Sequence, residues 1–282
     1  MKGKVKKYLS SIVLMMALFT NGFLYASEVS LETLRFAAIG GDAKSQTDLG
    51  AMYFHGQGVK QDYQLAKSWF EKAAQQNSAE AENYLGVMYM TGKGTPENIQ
   101  TAIEWFEKSA NQNFAKAQNN LGLIYFYNNE NDNQNLNKAR GWFEKAAQQN
   151  IAISQYQLGM IYLHGRGVEQ SIKTAREWFE KAAAQDLPEA QYELGVMYYG
   201  GNSGVLRDYQ IAWQLFENAS RRNHGESQFH LAMMYLLGQG VTKDFKRGRD
   251  MFGLACKNGD IEACLWFKEL TENDKAIKEF SK

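Results

Sequence analysis

The side chains in this sequence that could carry covalent chemistry are two cysteines, Cys256 and Cys264. A nucleophilic cysteine is activated by a histidine held beside it, and no Cys-His arrangement of a known catalytic type accompanies this pair. In an oxidising compartment, two such cysteines would pair with each other. We therefore expect a structural disulfide between Cys256 and Cys264 and no catalytic thiol.

The four histidines could bind a metal or transfer protons, but their spacing favours neither role. His55 and His164 occupy equivalent places at the predicted C-terminal end of a helix, where the helix dipole favours a cation and a capping or solvent-exposed role. His224 and His230 are six residues apart, a poor spacing for one helix face, and no His-Glu-x-x-His motif is present. We predict no metal and no cofactor.

Motifs for other nucleophiles and for phosphate binding are missing from the sequence. There is no Gly-x-Ser-x-Gly elbow and no Ser-x-x-Lys stretch. Gly56 and Gly58 resemble a phosphate loop in composition only, because they follow a predicted helix instead of a strand. We predict no catalytic residue, and we interpret the chain as a non-enzymatic protein.

The first 26 residues have the features of a secretory signal peptide. Four lysines precede an apolar run from Leu9 to Phe19, and Ala26 offers a small residue at the predicted cleavage site. Leu24 stands where a second small residue is usual, so an uncleaved anchor is the alternative. The segment contains four of the 31 basic residues and none of the 31 acidic ones. Its removal leaves an acidic balance, which argues against a nucleic-acid partner.

One segment of sequence recurs at a fixed period and organises the rest of the chain. Its first copy is Leu49 to Tyr53, and five further copies follow at intervals of 36 or 37 residues. A second segment, Trp69 to Lys72, returns in the same register. The later copies of the first segment begin at Leu85, Leu121, Leu158, Leu194 and Leu231. The sequence therefore contains six units of one repeat.

Each unit predicts two helices joined by a glycine turn, because apolar residues recur at spacings of three and four. Gly50 recurs although glycine costs about 1 kcal/mol in a helix interior, so we expect the neighbouring helix to pass too close for a methyl group. Gly56 ends the first helix and Asp62 caps the second. The predicted buried stripes are Ala43, Gln46, Leu49, Gly50 and Tyr53 in the first helix, and Ala66, Trp69, Phe70, Ala73 and Ala74 in the second.

These repeats resemble the Sel-one-like repeat family, relatives of the tetratricopeptide repeats with a longer unit and a Gly-x-Gly-Val turn such as Gly56 to Val59. The resemblance covers about residues 30–270. It implies an all-α fold, a right-handed α/α solenoid of six repeats with a half-repeat cap at each end. It also implies a scaffold or adaptor for protein assemblies. In cysteine-rich exported members, cysteines eight residues apart are paired, which supports the disulfide between Cys256 and Cys264.

The repeat pattern sets the domain boundaries that we predict. Residues 27–272 form one solenoid domain, and residues 273–282 form a charged helical tail. Residues 30–41 match the end of a second helix alone, and residues 260–272 match the start of a first helix. Two units depart from the glycine turn, at the polar segment 127–135 and at the longer turn 200–205. The repeats cover about 42–77, 78–113, 114–150, 151–186, 187–223 and 224–259.

One variable position in the first helix, two residues before the recurrent leucine, is the candidate for partner binding. We expect it to face away from the buried stripe, on the concave surface that first helices line in such solenoids. In the second half of the array it would present an aromatic ladder to a peptide. The alternative is that the rings fill gaps between neighbouring first helices. The position is occupied by Thr47 and by the candidate binding residues Asn83, Asn119, Tyr156, Tyr192 and Phe229.

These observations together predict a monomeric, non-enzymatic scaffold, exported to the periplasm or out of the cell, with no stable membrane span after signal cleavage. Its concave surface would bind a protein or peptide. The alternative is an envelope protein that binds or hydrolyses peptidoglycan or β-lactam-like ligands, as has been associated with cysteine-rich relatives. The missing nucleophile motif weighs against hydrolysis.

Overall fold

The computed structural model describes residues 31–128, 132–201 and 204–280, which form fourteen α-helices and no β-strand. The predicted signal peptide lies outside the described residues. Helices α2 to α13 form six successive pairs, which confirms the predicted solenoid-like helical repeat, while α1 and α14 stand alone before and after them. The helices are α1 (Leu31–Ile39), α2 (Ala43–His55), α3 (Tyr63–Ala74), α4 (Ala79–Thr91), α5 (Ile99–Asn111), α6 (Ala115–Asn128), α7 (Asn133–Gln148), α8 (Ala152–His164), α9 (Ile172–Ala183), α10 (Pro188–Gly200), α11 (Tyr209–Ser220), α12 (Gly225–Leu237), α13 (Phe245–Lys257) and α14 (Ile261–Phe280).

Helix boundaries follow the caps predicted from the sequence. The carboxylates of Asp62, Asp208 and Asp244 each accept a backbone N–H at 2.9 to 3.0 Å at the start of a second helix. Gly56 ends α2 in the left-handed conformation with φ of 70°. The chain also turns left-handed after most second helices, where asparagine tolerates a positive φ better than most residues. These residues are Asn77, Asn113, Asn150, Asp186 and Asn223, with φ between 58° and 65°.

In repeats 1 to 5, a fully buried phenylalanine of the second helix packs on the recurrent glycine of the first helix in the same repeat. A methyl group on Gly50 would lie 2.7 Å from the ring of Phe70, well inside contact distance. In the next four repeats the corresponding distance is 2.4 to 2.6 Å. This confirms the expected close approach and shows that a side-chain ring causes it. The further pairs are Gly86 with Phe106, Gly122 with Phe143, Gly159 with Phe179, and Gly195 with Phe216.

Repeat 6 packs the same two helices with the small residues exchanged. Ala232 replaces the recurrent glycine of the first helix, and Gly248 stands in α13 where the first repeat has Ala66. A methyl group on Gly248 would lie 2.8 Å from Cδ2 of Leu236 and 3.1 Å from the carbonyl oxygen of Ala232. Compared with repeat 1, the first helix of repeat 6 has one more methyl group and the second helix has one fewer. The closest approach of the two helices therefore falls beside Gly248.

The tryptophans of the second helices are half-buried and lie at the edge of the core, so the prediction that they belong to it holds only in part. In each case the lysine three residues later lies over the ring, with its Nζ 4.0 to 4.2 Å from the ring centre. Trp105 lines the groove between α3 and α5 and packs against the core of repeat 1. The four tryptophans are Trp69, Trp105, Trp142 and Trp178.

Buried amides connect the end of the second helix to the first helix in five of the six repeats. In repeat 1, Gln76 Nε2 donates to Gln46 Oε1 at 2.9 Å. Repeat 5 departs from the pattern, because Arg222 stands at the donor position and pairs with Asp186 at 3.7 Å. Gln191 Oε1 consequently has no partner among the described residues. The other bonds run from Gln112 to Glu82, Gln149 to Gln118, Gln185 to Gln155, and Asn258 to Gln228.

The chain divides between Gln149 and Asn150 into two compact units. The first contains α1 to α7, with buried clusters in repeats 1 and 2 around Phe70 and Phe106. The second contains α8 to α14, with clusters that include Phe216 in repeat 5. The single domain expected over residues 27–272 stays a prediction. None of the helices in the described ranges is both long enough and apolar enough to cross a bilayer.

Candidate interaction surface

The predicted row of binding residues does not lie on a face away from the core. Thr47, Asn83 and Asn119 are buried, and Asn120 Nδ2 donates to Asn83 Oδ1 at 3.0 Å. Thr47 Oγ1 lies 3.0 Å from the hydroxyl of Ser78, at the start of the following repeat. The expectation about this face was wrong, because the row points towards the next first helix and not towards solvent.

The three aromatic members of the row are half-buried against the second helix of their own repeat. The ring of Tyr192 lies 5.9 Å from that of Phe216 and 5.0 Å from that of His224 in the following repeat. This placement matches the alternative that the rings fill gaps between neighbouring helices. A partner-binding role for their exposed edges stays a prediction. The equivalent pairs are Tyr156 with Phe179 at 5.8 Å, and Phe229 with Phe252 at 5.3 Å.

The neighbouring position in the first helix, one residue further along, changes most in chemical character between repeats. In the first unit, burial raises the pKa of Tyr84 to about 12, with smaller contributions from Glu80 and Asp48. In the second unit, the same position places Glu193 on α10 and His230 on α12, both half-buried. The row consists of Asp48, Tyr84, Asn120, Gln157, Glu193 and His230.

Two imidazole rings and three carboxylates come together where α10 and α12 begin. His224 caps α12, since its Nδ1 accepts the backbone N–H of Ser227 at 3.3 Å, and its Nε2 lies 3.6 Å from the carboxylate of Glu226. His230 packs its ring 4.9 Å from Phe216. Glu189 and Glu193 form no hydrogen bond or ion pair within the described part of the chain, and Glu189 Oε2 is buried. We call Glu189, Tyr192, Glu193, His224, Glu226 and His230 the repeat 5–6 cluster.

The electrostatics of this cluster follow from burial and from like charges. Burial raises the pKa of the Glu193 carboxyl, and the carboxylate of Glu226 raises it further. Burial lowers the pKa of His224; His230 acts in the same direction, while Glu226 and Glu189 oppose it. A cation placed beside Glu193 would relieve the repulsion between the carboxylates. The cluster is therefore suited to a basic side chain of a partner.

The other predicted chemical sites are structural. Cys256 and Cys264 form a disulfide with a Cα–Cα distance of 4.6 Å, which confirms the predicted pairing. His55 and His164 end α2 and α8 as predicted, and burial and nearby cations lower the pKa of both imidazoles. Within the described ranges, no three His, Cys, Asp or Glu side chains form a group that could hold a metal.

The fold consists of successive helix pairs, and the recurrent motif residues pack these helices against each other. These two features define a solenoid-like helical repeat protein. The Sel1 repeat model matches residues 43–78, 79–114, 115–151, 152–187, 188–224 and 225–260. The chain belongs to the Sel1 repeat family.

Solved structures resemble this chain, among them two that are more than a quarter identical to it over the aligned residues. The first is a protective antigen of uropathogenic Escherichia coli strains, with 35% identity and a TM-score of 0.78, covering 88% of this chain and 53% of the antigen. This chain thus spans about half the length of that antigen. The second is a Sel1 repeat protein from Oxalobacter formigenes, with 28% identity and a TM-score of 0.73, covering 80% of this chain and 93% of that protein. No curated protein sequence matches the chain.

Proposed function

We propose that this protein is a non-enzymatic scaffold that binds a protein partner through its first helices, with the repeat 5–6 cluster as the contact for a basic segment. The single observation that carries the proposal is the pair of carboxylates Glu189 and Glu193, which form no hydrogen bond or ion pair within the described part of the chain, with Glu189 Oε2 buried. Half-buried Tyr192 and His230 lie beside them and offer apolar contact. Aromatic side chains are enriched at protein interfaces, and tyrosine is frequent among the residues that contribute most to binding.

Export is part of the same proposal. The disulfide between Cys256 and Cys264 supports an oxidising compartment, where such bonds persist. The predicted signal peptide over residues 1–26 points to the same compartments, the periplasm or the outside of the cell. The half-exposed rings of Tyr156 and Phe229 are secondary candidates for the surface.

A capture experiment tests the contact. The purified protein is immobilised and exposed to an extract of envelope and secreted proteins, and bound proteins are quantified by mass spectrometry. The Glu189→Gln/Glu193→Gln variant should lose about tenfold or more of the capture, because each close charge pair contributes about 1 kcal/mol or more to binding. The control is Glu177→Gln, which removes an exposed charge from the second helix α9.

The salt dependence of capture and the turnover of envelope substrates distinguish a protein-binding scaffold from an enzyme. Capture should weaken as salt rises, since the proposed contact is between opposite charges. If the Glu189→Gln/Glu193→Gln variant captures as much protein as the Glu177→Gln control, the repeat 5–6 cluster is not the contact for the partner. Turnover of muropeptides or of a chromogenic β-lactam by the purified protein, abolished by a point mutation, would overturn the non-enzymatic assignment.

A further inference from the structure

Large apolar side chains are exposed at both ends of the repeat array. Between residues 40 and 201, no large apolar side chain that the structure describes is exposed. At the start, Phe36 on α1 is 82% exposed. At the end, Phe245, Ile261 and Leu265 are 61%, 79% and 66% exposed. Terminal repeats of a soluble solenoid normally carry a polar outer face, so these ends have the character of an interface.

The exposed positions at the C-terminal end are those that a following repeat covers elsewhere. Leu265 is equivalent to Thr47, which contacts Ser78 of the next repeat, and to Tyr192, which contacts His224 of the next repeat. Phe245 is equivalent to Tyr63 and Tyr209.

The turn of a following repeat covers those tyrosines. A methyl group on Gly94 would lie 2.8 Å from Tyr63, and one on Gly240 would lie 2.2 Å from the carbonyl oxygen of Tyr209. Phe245 and Leu265 thus stand at positions of the interface between repeats, with Ile261 exposed beside them, and no following repeat covers them among the described residues.

The exposed ring at the N-terminal end faces where a preceding repeat would lie. Phe36 is equivalent to Lys108, which lines the groove between α3 and α5 together with Trp105. The opposite side of that groove belongs to the preceding second helix, through Glu71 and Gln75. By the same register, Phe36 on α1 is directed towards the place of a preceding second helix, and none precedes α1 among the described residues.

We propose that a second copy of this chain occupies these ends, so that α1 of one copy stacks on α13 and α14 of the next. The helix types complement each other, because within residues 31–280 α14 is a first helix without a second helix and α1 is a second helix without a first. Stacking α1 on α14 therefore continues the alternation of helices: by register, Phe36 then faces α13, the preceding second helix, and Leu265 faces α2, the next first helix. Lys268 stands at the position of Gly50, so this contact is wider than that between α2 and α3.

The contact is heterologous, since it joins the head of one copy to the tail of another, and it generates open chains of molecules instead of closed dimers. This departs from the monomer expected from the sequence, which treated both half-repeats as caps. The contact uses neither Glu189 nor Glu193, so it stands or fails independently of the proposed partner site.

Mixing two interface variants tests this arrangement. The weight-average mass of the purified protein, measured by sedimentation over a range of concentrations, should rise above that of one chain. Phe36→Asp and Leu265→Asp should each remain monomeric. An equimolar mixture of the two should form a one-to-one dimer that does not extend, because the intact tail of one variant meets the intact head of the other. Leu206→Asp is the control, since Leu206 is 88% exposed but lies away from both ends.

The mixing result separates the outcomes. A wild-type protein that stays monomeric at every concentration overturns the proposal. Association that persists in both single variants places the contact elsewhere and also overturns it. Association that the mixture does not restore indicates a two-fold symmetric contact and refutes the head-to-tail arrangement. Circular dichroism and an unchanged unfolding midpoint show that each variant is folded.

Discussion

A methyl group added at Gly159 should destabilise the protein although it raises helix propensity. The new Cβ would lie 2.4 Å from Cε1 and 2.5 Å from Cδ1 of Phe179, about 1 Å inside ordinary contact. Phe179 is fully buried, so its ring has little room to withdraw. Overpacking of this kind costs about 1 to 3 kcal/mol, and the gain in helix propensity returns about 1 kcal/mol. The difference is a net loss of about 0 to 2 kcal/mol for Gly159→Ala, with about 1 kcal/mol as the central expectation.

The same substitution at Gly141 is the matched control. Gly141 lies inside α7, and a Cβ there would meet no atom within 4 Å. Gly141→Ala should therefore stabilise the protein by about 0.5 to 1 kcal/mol. Urea unfolding followed by circular dichroism measures both variants, and we expect midpoints that move in opposite directions. If Gly159→Ala is as stable as Gly141→Ala, the close contact with Phe179 does not set the choice of glycine.

Three further predictions concern the polar and covalent contacts. Replacing Cys256 and Cys264 with serine should lower stability by about 2 to 3 kcal/mol by loop entropy, and a reductant should lower the melting temperature of the wild type but not of the variant. Because the pKa of His224 is lowered in the fold, its contribution to stability is complete above its unfolded pKa and is lost as the pH falls from that value through the lower folded pKa, where protonation of Nδ1 removes a helix cap contributing about 1 kcal/mol. His224→Asn, which keeps a cap, should show a smaller change in melting temperature between about pH 8 and about pH 5, which lie on either side of the ordinary His pKa. Arg222→Gln should raise the unfolding free energy by about 1 kcal/mol by giving Gln191 Oε1 the partner that it lacks, and an unchanged urea midpoint would show that the amide is satisfied otherwise.

The fold could be predicted from the sequence because its determinants are local and repeated. A glycine at a fixed place in each helix pair, an aspartate before the second helix and a glycine turn each specify one feature of the backbone. Six copies of the pattern reinforce the same reading. The recurrent glutamines, such as Gln46 and Gln76, were as regular, but only the structure shows that they bond to each other. Periodicity identifies a buried polar side chain without identifying its partner.

The candidate surface was harder to predict because adjacent positions on a helix face different neighbours. Thr47 points to the next repeat, whereas Asp48 is more exposed, and a rotation of about 100° per residue separates the two. The position of Tyr192 was predicted to bind a partner because it carries aromatic residues in the later repeats. The carboxylate without a hydrogen bond lies one residue further along, at Glu193. Glu189 and Glu226 were visible in the sequence as charges at variable positions. Their proximity depends on how two repeats stack, which no single repeat encodes.

The disulfide of α14 occupies the position that the buried side-chain amide of Gln46 has in α2. Gln46 donates to the carbonyl oxygen of Ala38, eight residues earlier, and accepts from Gln76 of its own second helix. Cys264 is equivalent to Gln46, but α14 has no second helix in the described part of the chain to supply the donor. A glutamine there would leave its carbonyl oxygen unpaired, at a cost of about 1 to 3 kcal/mol. The bond to Cys256, also eight residues earlier, needs no further partner, so the last helix is held by a contact that depends on an oxidising environment.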